Sequence, residues 1–544
     1  MASADPFSDH AAVDDHERVD RPAAIPHDTE RELIASATLA LGRNATLTLG
    51  TDSLILLDEG LYGSSRTRCC GLLSEGTAQT RSIPYYNILW AEIAQLSITI
   101  HYAKASKSTV NVAYLHYTFE SASDSAIKWV ERLMSRAYPG TTQRQKRIKL
   151  LINPFGGTGR AAKLYTSRVE PILAAARCSV DVERTAYSGH AVDIASKLDL
   201  DTYDVLACCS GDGLPHECFN GLAQHTDPHA LQKIAVTQLP CGSGNAFCWN
   251  FNGTGDPAIA ALAVVKGQRA PFDLASVTQG DKRTLSFLSQ SIGIVAESDL
   301  GTDNIRWMGE ARFTYGFLVR LLTKKRYPCD IAVKEEIVDK AAIKHHFAEQ
   351  ARHKLDTDWE QTRTKGLPVL KYGTIQSPLP TPEQGWTPLQ TYPTLGNFYS
   401  GNMCWMAGDA PFFPASLPSD GMLDLVTIDG GISRTKQIKM LLAVPKNTFF
   451  DMPEVKVRKI SAVRVIPKYG KFAEGARPGK DGSEEAYFSV CGEKFPFEPF
   501  QIEIHQGIGT VLAKRPGLYE GPGPAGWEQL LRDDVEGGSE SESA

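Results

Sequence analysis

The sequence predicts an α/β protein in which a parallel sheet is preceded by a small β-domain and followed by an antiparallel, β-rich half. Between residues 148 and 270, apolar runs alternate with glycine loops and helical stretches, which is the βαβ pattern of a parallel sheet. After Pro271, short β-type runs dominate. Residues 38 to 118 contain another set of such runs, followed by a helical stretch. Three structural units are therefore expected in the order β, α/β, β.

The composition limits the classes of protein to which this chain can belong. Its 544 residues allow about two to four domains, and a hydrophobic content of 42% is enough for substantial cores. The net charge is -6, without a basic domain or stripe, so nothing favours a nucleic-acid partner. The 11 cysteines include no C-x-x-C pair, which favours a reducing compartment over a disulfide framework or a zinc site.

The sequence lacks the patterns of a secreted or membrane-spanning protein. The N-terminus is acidic and has no apolar core segment, which predicts that there is no secretory signal. No uncharged apolar run reaches the roughly 20 residues that cross a bilayer. We therefore expect a cytoplasmic protein that would act on a membrane only from its surface.

The first 140 residues predict a tail and a small domain. Residues 1–37 are rich in Asp, Ala, Pro and His and are expected to be disordered. Residues 38–140 contain short strands and a helix at 123–138, which suggests a pleckstrin-homology-like (PH-like) β-domain. This domain would either pack on the rest of the chain or act as a membrane or partner adaptor. The adjacent Cys69 and Cys70 are either palmitate acceptors or ordinary thiols.

Residues 146–275 are expected to form the α/β domain and to carry the functional site. Strands are predicted at 148–152, 179–184, 204–209 and 233–239, and helices at 160–175, 189–197, 215–223 and 256–266. Three of the strands end in glycine-rich loops, at 153–160, 210–214 and 240–245. Because the carboxyl ends of parallel strands meet at one edge of a sheet, these loops should lie together. They predict a phosphate cradle of backbone N–H groups, although the lysine of a P-loop is missing.

Residues 276–510 are expected to form an antiparallel sandwich or barrel with one helix at 309–322. Within this half, residues 340–395 are charged and then rich in Pro, Thr and Gln, which is typical of a loop insertion. Residues 511–544 are rich in Gly and Pro and end in acidic residues, which predicts a disordered tail.

Asp212 lies between two glycines in the second glycine loop. It is either a hydrogen-bonded turn residue or a general base that takes a proton from an attacking hydroxyl, as in phosphoryl transfer. The neighbouring glycine loops favour the general base. Glu217 follows near the start of the next helix, where it would bind magnesium through water or order the loop.

The glycine loops belong to a longer series of motifs. The series comprises N-P-F-G-G-T-G at 153–159, T-A-Y-S-G-H-A at 185–191, S-G-D-G-L-P-H-E-C-F-N-G at 210–221, P-C-G-S-G-N-A at 240–246, D-L-G-T-D-N-I-R at 299–306, G-E-A-R-F at 309–313, D-G-M-L-D-L at 420–425, G-I-S-R at 431–434 and G-E at 492–493. In these motifs the chain resembles the diacylglycerol/sphingosine lipid-kinase family, and most closely its sphingosine (long-chain base) kinases, particularly the fungal ones. The resemblance covers residues 146 to 510 apart from the insertion. Phe155 departs from it by replacing a residue that is often basic, and Cys491 by replacing an aspartate.

The resemblance implies a two-domain lipid kinase that uses ATP and Mg²⁺ to phosphorylate the primary hydroxyl of a sphingoid base (sphingosine, dihydrosphingosine or phytosphingosine). ATP would lie between the parallel nucleotide-binding domain and an antiparallel β-sandwich domain that binds the lipid. Asp212 would be the catalytic base, and the residues implied to bind substrate with it are Ser210, Gly211, Gly213 and Asp299. Those implied to bind nucleotide are Asn153, Pro154, Phe155, Gly156, Gly157, Thr185, Ser188, Gly189, Glu217, Gly242, Ser243, Gly244, Arg306, Arg312, Gly492 and Glu493. The metal ligands are not assigned, and Asp420 and Asp424 are among the candidates.

Several of these residues also have a purely structural interpretation. Arg306 and Arg312 would either supply positive charge to the transferring phosphoryl group or form surface ion pairs. Asp299 would either pair with the ammonium of the lipid or cap a helix. The predicted helix at 309–322 would either wall an acyl-chain pocket or pack in the core.

Other functions stay open beside this one. The nearest is a diacylglycerol or ceramide kinase, which Asp299 would discriminate because only a long-chain base offers a free ammonium. An NAD kinase shares the glycine-aspartate-glycine loop, and a non-catalytic lipid-binding adaptor would rely on residues 38–138. The expected partner is a lipid at a membrane surface, with peripheral association at intracellular membranes, and a homodimer stays open.

Overall fold

The computed structural model describes most of the chain. The described residues are 37–41, 45–58, 79–119, 124–157, 159–301, 316, 325–353, 359–363, 366–468, 472, 486 and 488–532. Several sequence predictions lie outside these residues: the tails at 1–36 and 533–544, Cys69, Cys70, Arg306, Arg312 and all but one residue of the helix predicted at 309–322. The backbone of Asp299 lies on a described helix.

The first described unit consists of two antiparallel sheets and a helix. Its elements are β1 Thr38–Leu41, β2 Ala45–Leu49, β3 Ser53–Asp58, β4 Gln79–Pro84, a 3-10 turn at Tyr85–Asn87, β5 Ile88–Ala94, β6 Ser97–Ser106, β7 Thr109–Thr118 and α1 Asp124–Ala137. Strands β1 to β4 form one sheet and β5 to β7 the other. Alternate residues of β2 are buried because successive side chains of a strand point to opposite faces. The PH-like assignment stays a prediction.

This first unit shares a hydrophobic core with the parallel sheet that follows. Helix α1 buries Trp129 and Leu133 on one face, and both side chains belong to the same apolar cluster as Leu150 of the next sheet. The side-chain nitrogen of Lys266 donates to the carbonyl oxygens of Ile88 at 2.5 Å and Ala137 at 2.8 Å. Burial lowers the pKa of Lys266 to about 6. The N-terminal unit is therefore packed firmly against the parallel half.

The parallel sheet confirms the strands and helices predicted between residues 148 and 266. Its strands are β8 Arg147–Ile152, β9 Ser179–Arg184, β10 Val205–Ser210 and β11 Ala235–Pro240, in the order β9-β8-β10-β11. Its helices are α2 Ala161–Leu164, α3 Glu170–Ala175, α4 His190–Ala195, α5 Gly213–Ala223, α6 Ala230–Lys233, α7 Ala246–Asn252 and α8 Pro257–Lys266, with a π-helical turn at Tyr165–Val169. Every residue of β10 and β11 is buried, as expected for central strands covered on both faces.

The strands of the β-rich half are hydrogen-bonded to this sheet through β24, and the sandwich that the sequence predicts for this half stays a prediction. Its strands are β12 Gln268–Gln279, β13 Lys282–Ser286, β14 Ser289–Gly293, β15 Cys329–Ile337, β16 Gln390–Tyr392, β17 Leu395–Gly401, β18 Trp405–Ala407, β19 Ala410–Pro411, β20 Leu423–Asp429, β21 Lys456–Pro467, β22 Phe488–Val490, β23 Glu493–Phe495 and β24 Phe500–Ala513. Its helices are α9 Ile294–Leu300, α10 Lys340–Arg352, α11 Trp359–Thr362 and α12 Arg434–Ala443, with a 3-10 turn at Pro382–Gln384. Strand β24 pairs parallel with β11 and antiparallel with β12 and β21. Periodicity predicts strands but does not say which strands become neighbours, so this continuity was not predictable.

Two segments that the sequence predicts to be irregular contain regular structure among their described residues. The insertion at 340–395 begins with helix α10, which Asp339 caps by accepting from the backbone nitrogen of Ala342 at 2.9 Å. In the tail predicted from 511 onward, β24 runs to Ala513 and Tyr519 is buried, with its hydroxyl bonded to the carbonyl of Asn402. Glycine and proline composition indicates an irregular backbone, but it does not exclude packing through a few large side chains.

Candidate active site

The three glycine loops meet at one cleft, at the carboxyl ends of β8, β10 and β11. The cleft has a volume of about 680 Å³. The predicted site residues that line it are Asn153, Phe155, Gly156, Gly157, Thr185, Ser188, Ser210, Gly211, Asp212, Gly213, Glu217, Gly242, Ser243, Gly244, Gly492 and Glu493. Pro154 and Gly189 are not part of the lining. Loops that are distant in sequence therefore converge at one edge of the sheet.

The loops approach each other so closely that only glycine fits where they cross. A Cβ atom on Gly242 would lie 2.1 Å from the backbone nitrogen of Gly211, far inside contact distance. A Cβ atom on Gly157 would lie 3.1 Å from the carbonyl carbon of Gly242, and the φ angle of Gly157 is +57°. The missing side chains let the three loops pack backbone to backbone, which brings their peptide groups to the cleft.

The carboxylate of Asp212 is held by three uncharged donors. Oδ2 accepts from the backbone nitrogen of Ala246 at 2.9 Å, and Oδ1 accepts from that of Phe247 at 3.0 Å. The side-chain amide of Gln238 donates to Oδ1 at 3.2 Å. Burial raises the pKa of Asp212 above its usual range, and the three hydrogen bonds oppose this rise. The arrangement leaves a carboxylate that faces the cleft and can accept a proton there.

The local sequence explains why Asp212 is presented at this position. The buried strand β10 ends at Ser210, and Asp212 immediately precedes helix α5, of which Gly213 is the first residue. Pro215 lies in the first turn of α5, where a missing N–H has no helical partner to lose. The strand therefore ends, and the helix begins, within a few residues around the carboxylate.

Two glutamates bring other segments to the same cleft. Glu217 Oε2 accepts from the backbone nitrogen of Ala191 at 3.1 Å and so ties α5 to the first turn of α4. Glu493 belongs to β23 in the β-rich half, and its Oε1 lies 3.3 Å from the position that a Cβ atom on Gly213 would occupy. The cleft is thus closed on one side by the parallel half and on the other by the late Gly-Glu motif.

Part of the cleft is lined by apolar side chains, most of which belong to one hydrophobic cluster. The apolar side chains that line it are Leu288, Ile294, Val295, Met406, Phe412, Ile428, Met440, Leu441, Val444 and Phe449. Helix α9, which carries Asp299, contributes Ile294 and Val295, and helix α12 contributes Met440 and Leu441. The sequence predicts neither group as site residues, because the lining is assembled from segments that are distant in sequence. Polar loops and an apolar wall in one cleft suit an amphiphilic ligand.

Asp420 and Asp424, candidates for metal binding in the sequence, lie elsewhere. Neither is among the lining residues of the cleft. The buried Lys459 ammonium lies 3.3 Å from Asp420 Oδ2 and 3.1 Å from Asp424 Oδ2. A lysine therefore occupies the place that a cation would take between these two carboxylates. Among the described residues, no three His, Cys, Asp or Glu side chains come together as metal ligands.

Gln238, which the sequence does not identify as a site residue, contacts the Asp212 carboxylate directly. One signal could have indicated it: a long polar side chain in the middle of the apolar run at 234–239. A buried polar group in a central strand needs a hydrogen-bonding partner.

Two family models match parts of the chain, and several known proteins are similar to it. A family model described as Diacylglycerol kinase catalytic domain matches residues 147–277, and one described as Domain of unknown function (DUF7493) matches residues 37–139. The chain is 36% identical over 445 residues to Sphingoid long chain base kinase 5 from Saccharomyces cerevisiae, covering 72% of this chain and 62% of the relative. It is 30% identical over 456 residues to Sphingoid long chain base kinase 4 from Schizosaccharomyces pombe, covering 84% of this chain and 93% of the relative.

A human protein shows the same similarity at greater distance. Sphingosine kinase 1 from Homo sapiens is 27% identical over 406 residues, covering 70% of this chain and 94% of the relative. The chain spans less than two thirds of the Saccharomyces cerevisiae relative and nearly the whole of the other two.

Proposed function

The chain belongs to the family of sphingoid long-chain base kinases, and we propose that it transfers the γ-phosphoryl group of ATP to the primary hydroxyl of a sphingoid base. One observation carries the proposal: Asp212, the glycine loops and a set of apolar side chains line a single cleft. The loops suit a triphosphate and the wall suits a hydrocarbon chain. The proposed substrates are sphingosine, dihydrosphingosine and phytosphingosine.

In this mechanism Asp212 takes the proton of the lipid hydroxyl as the oxygen attacks phosphorus. The backbone N–H groups of the glycine loops bind the phosphate oxygens. Thr185, Ser188 and Glu493 also line the cleft and would contact the nucleotide. Arg306 and Arg312 would supply fixed positive charge to the transferring group. Because phosphoryl transfer needs little covalent help from the protein, positioning and electrostatics would do most of the work.

Magnesium would enter with the nucleotide. Mg²⁺ usually takes one or two protein carboxylates and completes its shell with phosphate oxygens and water. Glu217 and Glu493 both line the cleft and fit this limited role. The ion would neutralise part of the charge on the phosphates.

The lipid would lie with its chain along the apolar wall and its amino-alcohol head near helix α9. The polar Ser298 of α9 lines the cleft one residue before Asp299, which would pair with the ammonium of the head. In this proposal the β-rich half acts as the lipid-binding sandwich and the N-terminal unit as a PH-like domain. A diacylglycerol or ceramide kinase remains the alternative, because its substrate also joins a primary hydroxyl to hydrocarbon chains.

A panel of lipids with labelled ATP, with products separated by chromatography, tests the proposal. We expect label in a sphingoid base 1-phosphate and none in diacylglycerol or ceramide. In the same assay, Asp299→Ala should weaken phosphorylation of sphingosine. Label in diacylglycerol or ceramide alone would overturn the assignment in favour of the alternative.

Attachment to membranes is also part of the proposal. Among the described residues, each helix is too short or too polar to cross a bilayer. Helix α12 lines the cleft with Met440 and Leu441, while Ile438 and Leu442 on its other side are 44% and 58% exposed, close in sequence to Lys439. An exposed apolar pair with basic neighbours suits the surface of an anionic, intracellular membrane facing the cytoplasm.

Flotation with anionic vesicles tests this attachment. Replacing Ile438 and Leu442 together by serine should reduce the floated fraction while phosphorylation of detergent-dispersed substrate persists. Unchanged flotation would show that α12 is not the contact.

A homodimer stays a prediction, which the molar mass in solution would test.

A further inference from the structure

Gln238 is a completely buried amide in the central strand β11. Its nitrogen donates to Asp212 Oδ1 at 3.2 Å, and its oxygen accepts from the backbone nitrogen of Cys248 in helix α7 at 2.8 Å. Burying an amide is costly unless its polar atoms are bonded, and here both of them are. One end of the amide holds the carboxylate and the other holds the helix whose first residues also bind that carboxylate.

These contacts fix the orientation of the Asp212 carboxylate. Oδ1 has two donors, from Gln238 and from the backbone of Phe247, and Oδ2 has one, from the backbone of Ala246. Rotation of the carboxylate would break all three bonds at once. Gln238 contributes the only side-chain donor that the structure records for Asp212 among the described residues.

We propose that Gln238 is a positioning residue for phosphoryl transfer, whose amide holds the Asp212 carboxylate in the orientation that receives the hydroxyl proton. The inference rests on the proposed function, in which Asp212 is the base. Gln238 is not among the residues that line the cleft, so it reaches the reacting atoms only through Asp212. Its loss should therefore affect turnover and leave nucleotide binding intact.

Steady-state kinetics with a sphingoid base provide the first test. Gln238→Met keeps the length of the side chain and removes the donor, so kcat should fall about 10- to 100-fold, the scale of a misplaced reacting group. KM for ATP should stay within about twofold, because only a transition-state contribution is lost. Gln238→Glu keeps the shape and sets a second carboxylate against Asp212, so it should be impaired at least as much.

The neighbouring Thr237 supplies the matched control. Thr237 is also completely buried in β11, and its hydroxyl has no hydrogen-bonding partner among the described residues. Thr237→Val removes a buried hydroxyl of the same strand and should leave kcat at the wild-type value. A Gln238→Met or Gln238→Glu protein with wild-type kcat would overturn the proposal.

A double-mutant cycle tests the contact between Gln238 and Asp212 without an activity measurement. Melting temperatures are measured for the wild type, Gln238→Met, Asp212→Asn and the double variant. If the two side chains are coupled, the loss in the double variant should differ from the sum of the single losses by about 2 °C or more. Additive losses would overturn the contact. Coupling in a protein that phosphorylates no sphingoid base would overturn the proposed function and leave the contact supported.

Discussion

Asp212, which is half-buried at the cleft, and the fully buried Asp424 both have a raised pKa, yet their surroundings differ. Burial raises the pKa of each. Asp212 is bonded only to uncharged donors and faces the cleft, whereas Asp424 is bonded to the Lys459 ammonium and the Ser416 hydroxyl, away from the cleft. The comparison shows that a raised pKa alone does not single out the carboxylate that we propose as the base. Access to a cleft and the charge of the partner separate the two.

The cluster around Lys459 has the character of a structural ion network. Burial lowers the pKa of Lys459, but Asp420 and Asp424 outweigh this and raise it overall. Asp273, also buried, accepts from the backbone nitrogens of Gly421 and Gly507, both at 2.6 Å. These bonds connect β12 with the loop before β20 and with β24. The network therefore ties together strands of the β-rich half.

The largest effect is expected for Asp212→Asn, which removes the base and keeps the size of the side chain. Loss of a general base typically costs about 10²- to 10⁴-fold in rate, so kcat should fall by that factor. Binding of a fluorescent ATP analogue should persist, because the glycine loops are untouched. Normal turnover of the purified variant would show that another group takes the proton.

Lys459→Met should lower the stability of the protein and leave kcat nearly unchanged. Removing one partner of a buried ion network leaves uncompensated charge and typically costs about 3–5 kcal/mol of unfolding free energy. Chemical denaturation measures this loss, with the exposed Lys446→Met as the control. The kcat of the folded fraction should stay near the wild-type value. If kcat fell in Lys459→Met and not in Lys446→Met, the distinction drawn between Asp212 and Asp424 would fail.

Gly242→Ala should damage the site through its backbone. The added Cβ atom would lie 2.1 Å from the backbone nitrogen of Gly211, so the loops must separate, at a cost of about 1–3 kcal/mol. KM for ATP should rise and kcat should fall. Gly156→Ala is the matched control, because its Cβ atom would lie 3.3 Å from the nearest atom, the side-chain nitrogen of Asn153. Equal behaviour of the two variants would contradict the backbone packing.

The smallest expected effect is a shift in the pH dependence of kcat/KM. The base must be ionised, so kcat/KM should fall as the pH drops through the raised pKa of Asp212, above the ordinary aspartate value of about 4. Stability should respond in the opposite direction, because a carboxyl whose folded pKa is raised stabilises most below its unfolded pKa and loses this contribution as pH rises. A pH-rate profile with an acid limb at or below about 4 would contradict the raised pKa.

The parallel half was predictable because its signals are local. Apolar runs such as β10 alternate with helices, and the glycine loops that follow them must lie at the carboxyl edge of the sheet. The family resemblance rested on these same motifs, and the relatives confirm it. By contrast, the packing of the tail through Tyr519, the helix α10 and the joining of both halves by β24 depend on contacts between distant segments.

The sequence by itself determined that an aspartate between two glycines follows an apolar, strand-like run, and that similar loops follow two other such runs, because these are features of adjacent residues. Only the tertiary structure decided that Gln238 and the first residues of α7 hold that aspartate, and that the Lys459 ammonium pairs with Asp420 and Asp424. The physical reason is that hydrogen bonds and charge pairs depend on distances in space. These distances join residues that no local pattern connects.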